Sequence, residues 1–368
     1  MPNTTTDTPA PKAAAVPPGG RGVVRVVVGV GEDGQRLDNW LIRELKGLPR
    51  SAIYRVLRKG EVRVNAKRAK PEQRLATGDE VRLPPMRAEV APEAGAAGVG
   101  AAGPRKVPRS LIDAIEAAVV FQDDRFLAID KPSGLAVHGG SGLSFGVIEA
   151  LRASRPQEEL ELVHRLDRDT SGLLLVARDR GSLRIAHGLI REGQMEKQYL
   201  TLVLGNWPHG TKLIDAPLAT QNRQGGERFV RVDPRGKESR STFIPVDFFG
   251  NMATLLQVQL DTGRTHQIRV HAAYAGHPVA GDDKYATRED NALLLEAGLN
   301  RMFLHAQSLS FEWPGGKQYA FSAPLPADLA ELLDSLGNLK RKRKKAADAA
   351  TSRRVGQARR AAGPRKAK

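Results

Sequence analysis

The 368-residue chain contains no cysteine. That excludes disulfides, thiolate zinc sites, iron–sulfur clusters and a cysteine nucleophile, and it fits a reducing, cytoplasmic setting. The chain also lacks any uninterrupted apolar run near the ~20 residues that cross a bilayer, so no membrane partner is expected. Its opening, MPNTTTDTPAPKAAAVPPGG, lacks the basic-then-apolar pattern of a leader and reads as disordered polar chain. Acidic residues are scarce wherever basic ones are dense. Residues 340–368 carry 13 Lys/Arg against one acid, a balance of +12. Residues 34–85 carry 13 against six, a balance of +7, whereas residues 86–339 come to −3. The total of +16 therefore sits on a small N-terminal segment and a tail. Cations segregated in this way suit a polyanionic partner gripped away from the chemistry.

Patterning divides the chain. Residues 1–33 read mostly as a disordered lead, with a short strand in VVRVVVGVG at 23–31. Residues 34–95 form a small module. Trp40, Leu41 and Leu45 recur at helical spacing. A second helix covers 51–59, with Ser51 as N-cap and Gly60 as its stop. EVRVN and EVRLP alternate as strands, with a turn at Gly78-Asp79. Alanine, glycine and proline then dominate, and residues 96–110 are read as a flexible linker. Residues 111–335 form a larger domain. A hairpin is expected at 118–134, helices at 144–153 and 182–191, and a strand–loop–strand at 162–178. KQYLTLVLG, STFIPVDFF, MATLLQVQL, HQIRVHAAYAG and FLHAQSLSFEWP read mostly as strands. Many strands with few helices imply an α+β domain with a mixed sheet. Residues 336–368 read as a disordered basic tail.

One stretch carries more chemistry than the rest. His164-Arg165-Leu166-Asp167-Arg168-Asp169-Thr170-Ser171-Gly172 runs into Leu173-Leu174-Leu175-Val176-Ala177. A carboxylate is thereby fixed at the rim of a buried strand, ahead of a Ser-Gly turn. The stretch resembles the HRLDxxTSG signature of the RluA-type pseudouridine synthases. The resemblance spans roughly residues 34–328. It includes Asp130-Lys131-Pro132-Ser133-Gly134, Glu196-Lys197-Gln198-Tyr199-Leu200, Asp261-Thr262-Gly263-Arg264-Thr265-His266-Gln267-Ile268-Arg269, Gly281-Asp282 and Leu304-His305-Ala306. Residues 34–81 are similar to the S4 RNA-binding module, and the chain as a whole to the branch that modifies 23S rRNA. The resemblance implies a mixed, largely antiparallel catalytic sheet of the pseudouridine synthase type, preceded by an S4-like α/β module. It also implies action on 23S rRNA or a large-subunit precursor, by a monomer.

Making pseudouridine means breaking an N-glycosidic bond, turning the uracil and joining its C5 to C1′. Nothing is oxidised and no outside group is transferred, so no cofactor is expected. One carboxylate suffices, either attacking C1′ or removing a proton from C2′. In the resemblance Asp167 is that carboxylate, with Asp169 a competitor two residues on. Arg269 is its expected cationic partner and Tyr199 the platform for the flipped base. Arg165 is placed to fill the gap left by the extruded nucleotide, and Arg264 to hold phosphate. Arg50, Arg55, Arg58, Lys59, Arg63, Lys67, Arg68 and Lys70 form the candidate RNA face of the module. His266 and His271, read as lying on opposite faces of a strand, do not converge as metal ligands, and no metal site is expected. Asp282-Asp283 reads as a turn. Two other readings stand beside the enzyme: a noncatalytic rRNA-binding assembly factor, and a metal-dependent nuclease disfavoured by the poor ligand set.

Overall fold

The computed structural model describes residues 23–45, 48, 50–85, 106–139, 145–222 and 228–341. The chain divides into two units, Met1–Gly103 and Pro104–Lys368.

In the first unit, β1 (Val24–Val27), α1 (Leu37–Glu44), α2 (Arg50–Lys59), β2 (Arg63–Val64), β3 (Lys67–Arg68) and β4 (Glu80–Leu83) follow in order. The sheet order is β1-β4-β2-β3. Leu37, Trp40 and Leu41 of α1 and Ile53, Val56 and Leu57 of α2 meet Val62, Val64, Val81 and Leu83 in one core. Gly60 has φ +71 and ends α2, as a residue free of Cβ strain can. Asn65 and Ala66, at φ 49 and 63, make the tight turn between β2 and β3. Two details depart from the sequence reading. α2 begins at Arg50, so Ser51 lies in its first turn and does not cap it. β1 pairs with β4 from Val24↔Leu83 onward, so the sheet draws on residues within 1–33. The alternating VRVV supplies half-buried valines on one face, which fix that pairing.

The second unit runs α3 (Arg109–Ala117), β5 (Val119–Gln122), β6 (Phe126–Lys131), α4 (Val147–Ser154), β7 (Glu161–Leu162), β8 (Ser171–Ala177), α5 (Arg180–Arg191) and β9 (Glu196–Leu204). Then come β10 (Lys212–Asp215), β11 (Leu218–Asn222), β12 (Arg228–Val232), β13 (Arg240–Phe248) and β14 (Ala253–Leu260). α6 (Gln267–Tyr274), α7 (Arg288–Glu296), β15 (Leu304–Glu312) and β16 (Gln318–Ser322) complete it. A further helix covers 327–341, so the first residues of the expected tail, 336–341, are helical, with Leu336 buried on the sheet. Residues 342–368 and most of the expected linker, 96–105, lie outside the described residues.

The main sheet has the order β10-β13-β14-β9-β15-β8-β6-β5, with β16 beside β15 and β7 beside β8. It is mixed and largely antiparallel. The parallel pair is β8 with β15, at His305↔Ser171 and Ala306↔Gly172. Both faces are covered, which is why the central strands read as continuous apolar runs. Leu174 and Val176 of β8 join Tyr199, Val258, Leu260 and Leu304 on one face, against α3, α4 and α6. Leu173, Leu175 and Ala177 point to the other, where Ala186 and Leu189 of α5 cover them. Each such fully buried aliphatic side chain contributes roughly 1.5–3 kcal/mol. α5 is capped by Asp179, whose carboxylate accepts from the Ser182 amide at 2.8 Å.

HQIRVHAAYAG is not a strand. It forms α6, buried from Gln267 to Ala272. Its apolar residues alternate because polar ones between them are also buried with partners. Gln267 reaches the Arg240 carbonyl at 2.7 Å and the Ser241 hydroxyl at 2.9 Å. His271 bonds Ser241 Oγ and the Ala216 carbonyl, both at 3.0 Å. A helix enclosed on every side loses the polar stripe that would have marked its period.

Gly172 sits where this architecture leaves least room. Its φ is +102, and a Cβ there would lie 2.2 Å from the Ala306 carbonyl oxygen. Gly172→Ala is expected to cost about 2–5 kcal/mol through left-handed strain and overpacking. Urea unfolding of both proteins measures it, and a change below ~1 kcal/mol would contradict the close approach.

Candidate active site

The register of three central strands places the key groups. Tyr199 on β9 pairs with Ala306 on β15, and Ala306 pairs with Gly172 at the start of β8. The loop carrying Asp167 enters β8 there, so Asp167 stands over the sheet face that presents Tyr199. Arg165, Leu166, Asp167, Thr170, Tyr199 and Leu260 line a cleft with Arg264, His266, Gln267, Arg269 and Leu304. The catalytic-domain residues singled out in the sequence thus converge.

Arg269 is the hub. Its guanidinium is 7% exposed. Nε and Nη2 each donate to the Asp282 carboxylate at 2.7 Å, and Nη1 lies 3.4 Å from Asp167 Oδ2. The ring of Tyr285 lies under it, with the guanidinium carbon 5.2 Å from the ring centre. Burial alone would disfavour the cation, but the hydrogen bonds and charge of Asp282, then the charge of Asp167, hold its pKa above the ordinary arginine value. Asp282 has no exposed side-chain surface. Its Oδ1 also accepts the backbone amides of Lys284 at 2.9 Å and Tyr285 at 3.1 Å. The Asp282-Asp283 pair is therefore more than a turn. Asp283 is exposed, 3.7 Å from Arg269, while Asp282 is buried as its main counter-ion.

Tyr199 is 7% exposed. Burial, reinforced by the negative charge of Asp167, raises its hydroxyl pKa, so it remains a phenol at neutral pH. Asp169 diverges from Asp167. It pairs with the exposed Arg168 at 3.1 Å, and its carbonyl accepts the Ser133 hydroxyl at 2.7 Å. Arg165 and Arg264 are exposed on the cleft wall. Arg264 is steadied by its Nε bond to the Glu238 carbonyl at 3.0 Å.

Lys131 was quoted in the sequence without a role. It is wholly buried, and its ammonium donates to the carbonyls of Pro132, Leu135 and Arg168 at 2.8, 2.9 and 3.0 Å. It stitches the turn after β6 to the Asp167 loop. Burial brings its pKa down to about 8, against the pull of Asp169 and Asp167. Asp282, Tyr285 and Lys131 carried no signal separable from turn or core residues, because their roles lie in distant partners.

In the first unit, Arg55, Arg58, Lys59, Arg63, Lys67, Arg68 and Lys70 are all exposed. Arg50 opens α2, and its side chain lies outside the described ones. Arg68 Nη2 donates to the Arg58 carbonyl, which ties the β2–β3 hairpin to the end of α2. Helix end and hairpin thus present their cations side by side. His266 and His271 lie at the start and within α6, not on a strand. They face different partners, Tyr285 and Ser241. Among the described residues no cluster of three or more His, Cys, Asp or Glu could hold a metal ion, and no helix is long and apolar enough to cross a membrane.

Asp282→Asn would keep the shape of the hub but remove its main negative charge. The buried guanidinium would then have only Asp167 and the exposed Asp283. A loss of about 3 kcal/mol is expected, since an uncompensated buried charge is left behind. Denaturant unfolding tests this. Unchanged stability would show that Asp282 does not carry the counter-charge.

Residues 125–274 match the family model described as RNA pseudouridylate synthase, and residues 35–81 match that of the S4 domain. Ribosomal large subunit pseudouridine synthase C of Escherichia coli (strain K12) is 51% identical over 317 residues, covering 85% of this chain and 96% of that protein. The protein of the same name from Haemophilus influenzae is 49% identical over 307 residues, covering 83% and 92%. Among solved structures, human RNA pseudouridylate synthase domain containing 4 aligns with a TM-score of 0.52 at 23% identity, over 62% of this chain and 95% of that one, a likeness of fold.

Proposed function

The chain belongs to the RNA pseudouridylate synthase family, and we propose that it isomerises uridines of 23S rRNA to pseudouridine with Asp167 as its catalytic carboxylate. One observation carries the assignment of the residue: Asp167 reaches the cleft 3.4 Å from a buried arginine, on the sheet face that presents Tyr199. The 23S substrate is supported by the names of relatives that are half identical over most of their length.

The chemistry follows from the groups present. The target base must leave the stacked RNA to reach a carboxylate at the foot of a cleft. Arg165, exposed on the cleft wall, fills the space vacated. Arg264 takes a flanking phosphate. The uracil lies against Tyr199, whose phenol keeps its proton. Asp167, aimed by Arg269 at 3.4 Å, acts on the ribose at C1′ or C2′. The detached base turns in place and rejoins through C5, so no second carboxylate has to activate water. We take a monomer as the acting unit. The absence of cysteine supports a cytoplasmic site of action. We further take residues 34–95, together with β1, as a module that grips RNA through the cations of α2 and the β2–β3 hairpin, joined through 96–110 to a catalytic domain that runs to 341, with 342–368 as a basic extension.

Asp167→Asn should abolish tritium release from C5-labelled uridine in rRNA, while RNA binding by filter retention changes less than about threefold, since the exposed cations that grip RNA are untouched. Substantial turnover by the variant would remove Asp167 from this role.

Removing residues 1–103 should leave the chemical step and weaken RNA binding. The ordered cations that neutralise phosphate are mostly lost, together with the gain in effective concentration from a second grip. The expected result is an RNA requirement raised on the order of 10-fold or more, with a shallower salt dependence. A saturating single-turnover rate that fell as far as affinity would mean the first unit helps to form the active site.

A further inference from the structure

We propose that His266 donates a hydrogen bond from Nε2 to a carbonyl oxygen of the extruded uracil, making it a base-recognition residue of the cleft. The proposal rests on the pseudouridine synthase reading above.

Three observations lead to it. First, His266 lines the cleft between Arg264 and Arg269. Its ring is half-buried, and Nε2 has no partner among the described residues. Second, the backbone at His266 is left-handed, φ 53 and ψ 22, at the N-terminus of α6. Asparagine, aspartate and histidine tolerate that region better than other side chains. Here the imidazole does not cap the helix. The strained backbone therefore serves to aim the ring elsewhere.

Third, the tautomer is set from behind. Tyr285 Oη accepts the Val230 amide at 3.1 Å and lies 2.9 Å from His266 Nδ1. With the amide already on its oxygen, the phenol directs its own proton to Nδ1. Burial raises the Tyr285 pKa to about 12, so that proton is retained. A neutral imidazole that accepts at Nδ1 carries its proton on Nε2 and is a donor there. The ring stays neutral because burial lowers its pKa. Asp167 pulls the other way, Arg269 and Lys284 add to the lowering, and Asp282 opposes it. The cleft thus holds an uncharged N–H donor at His266. It suits a neutral acceptor such as a uracil carbonyl better than a phosphate, for which Arg264 is available.

Two measurements decide it. Nitrogen-15 NMR of the full-length protein reads the tautomer without any RNA. The His266 signals, assigned by their loss in His266→Asn, are expected to show Nε2–H in the wild type and a mixture in Tyr285→Phe. Single-turnover isomerisation is then measured at saturating rRNA fragment whose target is uridine, 2-thiouridine or 4-thiouridine. His266→Asn, which tolerates the left-handed backbone but is too short, should lose roughly 10- to 100-fold in rate. His266→Gln should recover part of it by returning a donor nitrogen to similar reach. Sulfur at the contacted position should slow the wild type and add nothing to the loss in His266→Asn; whichever analogue behaves so identifies the oxygen. An Nδ1–H tautomer, full multiplication of losses for both analogues, or a variant that only raises the RNA concentration required would overturn the assignment. No turnover of plain uridine by the wild type would instead overturn the activity itself, and this contact with it.

Discussion

The guanidinium of Arg269 is the constraint on which the site depends. A cation so thoroughly removed from water is costly unless its donors are paired, and here they are paired with carboxylates from two separate parts of the chain. Asp282 takes Nε and Nη2, Asp167 faces Nη1, and Tyr285 lies beneath the plane. α6, the loop before β8 and the segment after residue 280 are thereby indexed to one planar fork. A buried ion pair of this kind adds little to net stability, but it penalises every arrangement in which one partner is displaced. The geometry of the two Asp282 bonds, each 2.7 Å, is tighter than the 3.4 Å contact to Asp167. Asp282 therefore fixes the arginine, and the arginine in turn orients Asp167 through the longer contact.

The sheet supplies the second fixed reference. Its two antiparallel ladders are joined through a short parallel pairing, and the Asp167 loop enters at that seam. Gly172 lets β8 approach β15 more closely than any side chain would permit. Lys131 closes the loop from below by bonding three carbonyls, one of them in the loop itself. Because the seam is covered on both faces, it cannot slide without exposing apolar surface. The carboxylate is thus carried by a loop but held as if it belonged to a strand.

Much of this was legible in the residues, for particular reasons. Asp167, Tyr199 and Arg269 lie in short motifs whose spacing survives without structural knowledge, and the structure brings all three to one cleft. The helices of the first unit were readable because their exposed faces keep a polar stripe. α6 was misread as a strand because its polar residues are as buried as its apolar ones, so hydropathy reported alternation where the backbone is helical. β3 and the β11–β12 ribbon are short or have little apolar pattern and left no clear trace. Asp282 and Tyr285 act through partners more than ten residues away in the chain. Nothing in a window around Asp282-Asp283 distinguishes a buried counter-ion from a solvated turn.

The distribution of charge has a physical consequence for the reaction. The chemistry needs an ionised carboxylate beside a polyanion, and approaching phosphates oppose that charge. Arg165 and Arg264 are exposed on the cleft wall, where counter-ions screen their charge over about 8–10 Å at physiological ionic strength. Arg269 is buried and little screened, so its support of Asp167 persists under conditions that weaken RNA binding. Exposed and shielded cations are therefore separated in dielectric as well as in sequence: screened cations lie on the exposed surfaces, while one shielded cation stands beside the Asp167 carboxylate.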